Sequence, residues 1–140
     1  MSGWVVDASV AIKWLVAEIH ADRAEELLKA DTEILAPDLI GPEINSALWK
    51  RVRRGEITAE EAGELLLKFD RIGIAIHPCQ LLIHRAFALA VTLDHSPYDC
   101  LYLALSEEAD CPLVTADRRF YDIARRSPHT ASVVWIESAT

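Results

Sequence analysis

Five short apolar runs, most of them rich in β-branched residues, punctuate this chain, and segments with helical spacing fill the gaps between them. The runs are Gly3–Val6, 34–36, 73–77, 112–115 and 132–136. Each is too short for a helix and suits a strand buried on both faces. Helical patterns separate most of them. An apolar stretch to Val16 follows Asp7-Ala8-Ser9, a helix-start signal. Residues 21–30 place Ala24, Leu27 and Leu28 at helical spacing. Residues 43–54 follow Pro42, tolerated in a first turn, and Gly55 stands where a C′ glycine would end the helix. Thr58 with Glu61 forms a capping-box pattern opening a helix to about residue 71. Two further helices are expected at 82–93 and from Ser96, and another at 117–126. The alternation predicts an α/β fold: three layers, a five-stranded parallel sheet flanked by helices. A length of 140 residues suits one domain, 1–140.

Composition narrows the setting. Hydrophobic residues are 51% and charged residues 26%, values of an ordinary globular chain. The formal net charge is -8, unfavourable for wrapping nucleic acid over the whole surface. Three cysteines, Cys79, Cys100 and Cys111, form no CxxC pair, so neither a disulfide scaffold nor a zinc ribbon is expected. No signal peptide is legible, and every apolar run is broken before the roughly 20 residues of a membrane helix. The expected location is the cytoplasm, away from any membrane.

Ligands of open parallel sheets gather outside the carboxyl ends of the strands. Four acids fall at or near that edge. Asp7 follows the first strand and Asp117 the fourth, while Glu43 and Asp99 stand in first turns of helices. Each alone fits a plain capping or dipole role. Together they would repel one another unless a cation neutralised them. Oxygen-only donors favour Mg²⁺ or Mn²⁺ over zinc, and such a site suits hydrolysis of a phosphodiester. Asp122 is a possible fifth acid, better read as part of a solvated helix face.

Four segments carry a resemblance. Val6-Asp7-Ala8-Ser9-Val10, Pro42-Glu43-Ile44-Asn45-Ser46-Ala47-Leu48, Tyr98-Asp99-Cys100-Leu101-Tyr102-Leu103-Ala104-Leu105 and Val114-Thr115-Ala116-Asp117 resemble, in order and spacing, the acidic motifs of PIN-domain ribonucleases. The VapC-type toxins of toxin–antitoxin pairs are the most similar subgroup. The resemblance implies Mg²⁺- or Mn²⁺-dependent cleavage of RNA. It makes Asp7, Glu43, Asp99 and Asp117 the catalytic quartet, with Asp7, Asp99 and Asp117 as metal ligands and Glu43 acting through water. Ser9 and Thr115 become supporting hydroxyls, or simple backbone caps. It also implies a homodimer and a cognate antitoxin seated in a groove between helices 20–31 and 58–71.

Candidate substrate contacts are Lys13, one turn beyond Ser9, and Arg118 and Arg119, beside Asp117. The basic run 50–54 has two readings, a helix C-terminus favoured by the dipole or a contact to RNA phosphates. Trp14 would stack on a base or, more simply, pack in the core. No residue is identifiably placed to read a 2′-hydroxyl. Two alternatives stand beside the nuclease: a non-catalytic binding module that keeps its acids for capping, and a phosphoacceptor signalling domain. The latter needs a Lys after its last strand, and no Lys follows Lys68.

Overall fold

Strand order decides where a parallel sheet opens a crevice, and here the order reverses beside the first strand. The computed structural model describes residues 3–126 and 133–139. Its strands are β1 (Gly3–Val6), β2 (Glu33–Pro37), β3 (Ala75–His77), β4 (Leu113–Thr115) and β5 (Val133–Trp135). They form one sheet in the order β3-β2-β1-β4-β5, with every pairing parallel. β1 therefore has β2 on one side and β4 on the other. The crevice beyond the carboxyl ends of β1 and β4 is the switch point of the sheet.

The helices are α1 (Ala8–Ala11), α2 (Ala21–Lys29), α3 (Ile40–Arg53), α4 (Ala59–Asp70), α5 (Ile83–Leu93), α6 (Pro97–Ala109) and α7 (Arg118–Ala124). α6 is the most deeply buried: residues 100–106 are all inside, and the helix packs on β1, β2, β4 and α5. It is apolar nearly all round, as an internal helix must be. The expected five-stranded α/β sandwich is the one found. Among the described residues no helix is long and apolar enough to cross a membrane.

Several boundaries move, each for a local reason. The first helix is only one turn, Ala8–Ala11, continued by a 3₁₀ turn at Ile12–Trp14. Pro37 does not stop β2 before it but ends it, paired with His77. The amide that proline lacks falls at the last position, and Asp38 N–H donates to His77 O instead, at 2.8 Å. α3 starts at Ile40, three residues before Glu43, so Pro42 lies inside its first turn. β3 shrinks to Ala75–His77, its pairing with β2 beginning at Leu35 opposite Ala75, because Gly73 takes a left-handed φ of 79°. The expectation for Ser132 lies outside the described residues.

Two glycines are dictated by geometry. Gly55 has φ +73° and closes α3 in a Schellman motif: Glu56 N–H donates to Arg51 O and Gly55 N–H to Val52 O. A Cβ on Gly3 would stand 2.8 Å from Leu35 Cδ1 and 3.1 Å from Glu33 O, so a larger residue there would displace the Leu35 side chain and crowd the Glu33 carbonyl. The Thr58–Glu61 capping box forms in both directions. Trp14 is buried, and its Nε1–H donates to Ala24 O at 2.7 Å. It is a core residue, not a stacking platform.

Candidate active site

All four acids stand at helix N-termini on the switch-point edge. Asp7 caps α1 and Asp117 caps α7, accepting from Val10 N–H and Phe120 N–H respectively. Glu43 lies in the first turn of α3 and Asp99 in that of α6. The partial positive charge of helix N-termini offsets some of the repulsion among clustered carboxylates.

Asp7 is the centre of the arrangement. It is 6% exposed. Ser9 Oγ donates to its Oδ1 and Thr115 Oγ1 to its Oδ2, both at 2.5 Å. Each hydroxyl is oriented from behind: Ser9 Oγ accepts from Ala116 N–H at 2.9 Å, and Thr115 Oγ1 from Asp117 N–H at 3.1 Å. With its acceptor side taken by backbone, each hydroxyl has its one proton directed at Asp7. Ser9 and Thr115 thus lash the end of β4 to the end of β1, and bring the Asp117 backbone to the site. Burial is the chief force on Asp7 and pushes its pKa up to about 7; the two hydroxyls and Val10 N–H pull it down, and the charge of Asp99 pushes it further up.

The capping-box role of Asp99 is not what the structure uses. Ser96 caps α6 through Tyr98 N–H, and Asp99 Oδ2 instead meets His95 Nε2 at 2.6 Å. His95 is itself held flat against Phe120, ring centroids 5.3 Å apart and planes 6° from parallel. Glu43 is half-buried and accepts a hydrogen bond from Tyr102 OH at 2.5 Å. Burial raises its pKa, Tyr102 opposes this, and Asp99 adds to it. The Tyr102 phenol is driven well above its ordinary pKa by burial and by Glu43, so it stays a proton donor to that carboxylate.

His95 and Tyr102 are the site residues that sequence reasoning missed. Their signal is spacing: His95 lies four residues before Asp99, and Tyr102 three after it on the same face of α6. Lys13 is placed elsewhere than expected. It is 7% exposed, with its ammonium on Glu18 at 3.1 Å, so its charge is taken within the protein rather than offered to a substrate. Arg118 is exposed, its guanidinium 4.1 Å from the centroid of the Trp135 ring. Arg119 and Asp122 are exposed, without a partner among the described residues. A cleft of about 470 Å³ runs between α4 and Leu15-Val16-Ala17, while Ala24 and Leu27 of α2 are buried.

The donor set is carboxylate and hydroxyl oxygen, the chemistry of hard divalent ions. Among the described residues no three His, Cys, Asp or Glu side chains converge closely enough to enclose an ion. Asp99 lies within electrostatic reach of Asp7 and of Glu43, but the expected set of Asp7, Asp99 and Asp117 is not gathered into one three-carboxylate cluster.

The family model described as PIN domain matches residues 4–126. The chain belongs to the PIN domain family. It is 32% identical over 117 residues to Ribonuclease VapC3 of Pyrobaculum aerophilum, an alignment covering 82% of this chain and 89% of that protein. Among solved structures it is similar to PAE2754 from Pyrobaculum aerophilum, with TM-score 0.75, 23% identity, and coverage of 98% of this chain and 85% of the other. It is also similar to VapBC2 from Rickettsia felis, solved bound to a DNA fragment from their promoter; there the TM-score is 0.66 and the identity 15%, covering 95% of this chain and 98% of the other. The two structures share the fold. The family match also sets aside the phosphoacceptor alternative.

Proposed function

We propose that this PIN domain is a metal-dependent endoribonuclease, the toxin of a toxin–antitoxin pair. The observation that carries the reading is Asp7, buried at the switch point, held by two oriented hydroxyls and within electrostatic reach of Asp99. The relative named a ribonuclease supports RNA as substrate. Asp7 and Asp99 are the side chains that would hold a Mg²⁺ or Mn²⁺, with Asp117 joining directly or through water. Such an ion, when bound, supplies Lewis-acid activation of water and charge for the departing oxygen. The chain's own residues do the rest. His95 fixes the rotamer of Asp99. Tyr102 holds Glu43 toward the edge, where a half-buried carboxylate of raised pKa orients an attacking water and accepts its proton. Ser9 and Thr115 keep Asp7 in place, and Arg118 and Arg119, beyond Asp117, contact substrate phosphates.

The partners are an RNA substrate, a cognate antitoxin and a second copy of the chain, in the cytoplasm, with residues 1–140 acting as one domain. Resemblance to VapC proteins and the similar VapBC2 structure support the antitoxin; the 470 Å³ cleft beside α4 offers it an apolar seat at Leu15, Ile57 and Leu65. The deciding experiment is incubation of total tRNA and rRNA with purified protein in Mg²⁺, Mn²⁺ or EDTA, beside Asp99→Asn. Discrete fragments that need metal and vanish in the variant are expected. Intact RNA in every condition, with no heat of Mn²⁺ binding, would leave a non-catalytic module.

A further inference from the structure

α3 carries Glu43 at one end and a cluster of cations at the other, and a single cleft connects them. The cleft is about 330 Å³ and is lined on the α3 side by Glu43, Ser46, Ala47, Lys50, Arg51 and Arg54, and on the other by Ala8, Ile12 and Glu18, whose carboxylate is taken by Lys13 and Arg51. A second cleft of about 280 Å³, lined by Lys50, Arg53 and Arg54, adjoins it. Lys50 and Arg54 belong to both. Positions 43, 47, 50 and 54 follow one helix face, so at 1.5 Å per residue Lys50 lies about 10 Å and Arg54 about 16 Å along the axis from Glu43.

The cations of this cluster are not equivalent. Arg51 is half-buried and bound to Glu18, which also takes Lys13, and it lies 3.5 Å from Glu56. Its charge is spent on tying α3 to the segment after α1. Arg53 lies over the Trp49 ring, 5.0 Å from its centroid. Arg54 has only a solvent-exposed pair with Glu56, of a kind that a phosphate readily displaces. Lys50 is exposed and has no carboxylate partner among the described residues. The helix dipole accounts for cations at this end, but not for an unpaired one aimed into a cleft that leads to Glu43. On a protein of net charge -8, an RNA strand needs such a local track.

We propose that the α3 cleft is the subsite for the RNA strand flanking the scissile bond, with Lys50 and Arg54 as its phosphate ligands and Arg51 as a structural strut. This rests on the ribonuclease reading. It makes these two residues substrate-binding groups and excludes Arg51 and Lys13 from that role.

The test is fluorescence anisotropy of a labelled 12-nucleotide single-stranded RNA of mixed sequence, titrated with the full chain in EDTA across a range of NaCl concentrations. Each phosphate contact to a single strand contributes about 0.7 to the slope of log affinity against log salt. Lys50→Ala is expected to lower that slope by about 0.7 and the Lys50→Ala, Arg54→Ala double variant by about 1.4. Lys50→Arg restores it, and Lys29→Ala, on α2 and outside the lining of either cleft, leaves it unchanged. With metal, the double variant raises KM and keeps kcat. A wild-type chain that cleaves RNA while the double variant keeps its slope and KM overturns this inference alone. A chain that cleaves nothing overturns the ribonuclease reading; a slope that still falls would then support the cleft as a nucleic-acid site. No RNA binding by the wild type overturns the inference.

Discussion

Asp7 shows how one residue serves stability and chemistry in opposite ways. A buried carboxylate whose pKa rises from 3.8 to about 7 holds a proton in the folded state that the unfolded chain has already lost. Between those values the folded state binds more protons, so stability falls as pH rises from about 4 to about 7 and then levels. The full difference is on the order of 4 kcal/mol. Metal-free Asp7→Asn has no such group. Thermal unfolding in EDTA should therefore show the variant gaining on the wild type across that window, and more stable than it at pH 8; parallel pH profiles would count against a buried, proton-holding Asp7. The same proton competes with a cation, so metal affinity and cleavage by the wild type should rise as pH passes through 7. The acids were legible in sequence because each sits directly after a strand or at a helix start. For His95 and Tyr102 the sequence shows only their spacing from Asp99; that Tyr102 meets Glu43 across 59 positions is fixed by how α6 lies on the sheet.

At the scale of elements, the caps at Thr58, Gly55, Asp7 and Asp117 are legible because their chemistry is local and acts within a few residues, while at Ser96 the cap forms but Asp99 leaves it for His95. Strand ends were read less well, since pairing with a neighbour sets them. β3 starts only at Ala75, opposite Leu35, because Gly73 takes a positive φ of 79°, which the apolar run 73–77 does not announce. α3 joins the two kinds of information. Its N-terminus presents Glu43, and its C-terminal Schellman motif returns Glu56 onto Arg51. Gly55→Ala forces a Cβ into the left-handed region, at a cost of roughly 1–2 kcal/mol. A melting temperature lower by a few degrees is expected, with metal-dependent cleavage retained at low temperature. An unchanged melting temperature would mean that the end of α3 does not need the positive φ.

At the scale of the whole molecule, an apolar stripe stands uncovered among the described residues. On α5, Ile83, Phe87 and Val91 recur every four residues, 50%, 66% and 67% exposed, and Leu81 just before them is 75% exposed. The opposite face of the same helix, Ala86 and Leu89, is buried against the body. Four large apolar side chains on one helix and its leading turn cost little in an unfolded chain but expose a contiguous patch once folded, the mark of an interaction surface. The proposed homodimer gives the stripe a partner of identical character, as an isologous contact about a twofold axis requires. Formal charge favours the same surface: a body of net charge -8 repels its own copy, so self-association is favoured through a patch of low charge, and the only titratable side chains on α5 are His84 and Arg85. Arg85 is already neutralised by Glu107. Phe87→Glu would set two like charges facing each other across the axis. Sedimentation velocity should then show a dimer for the wild type and a monomer for the variant, with far-ultraviolet circular dichroism unchanged because Phe87 is not part of the core. A variant that remains dimeric would move the contact off α5, and a monomeric wild type would leave the stripe to the antitoxin.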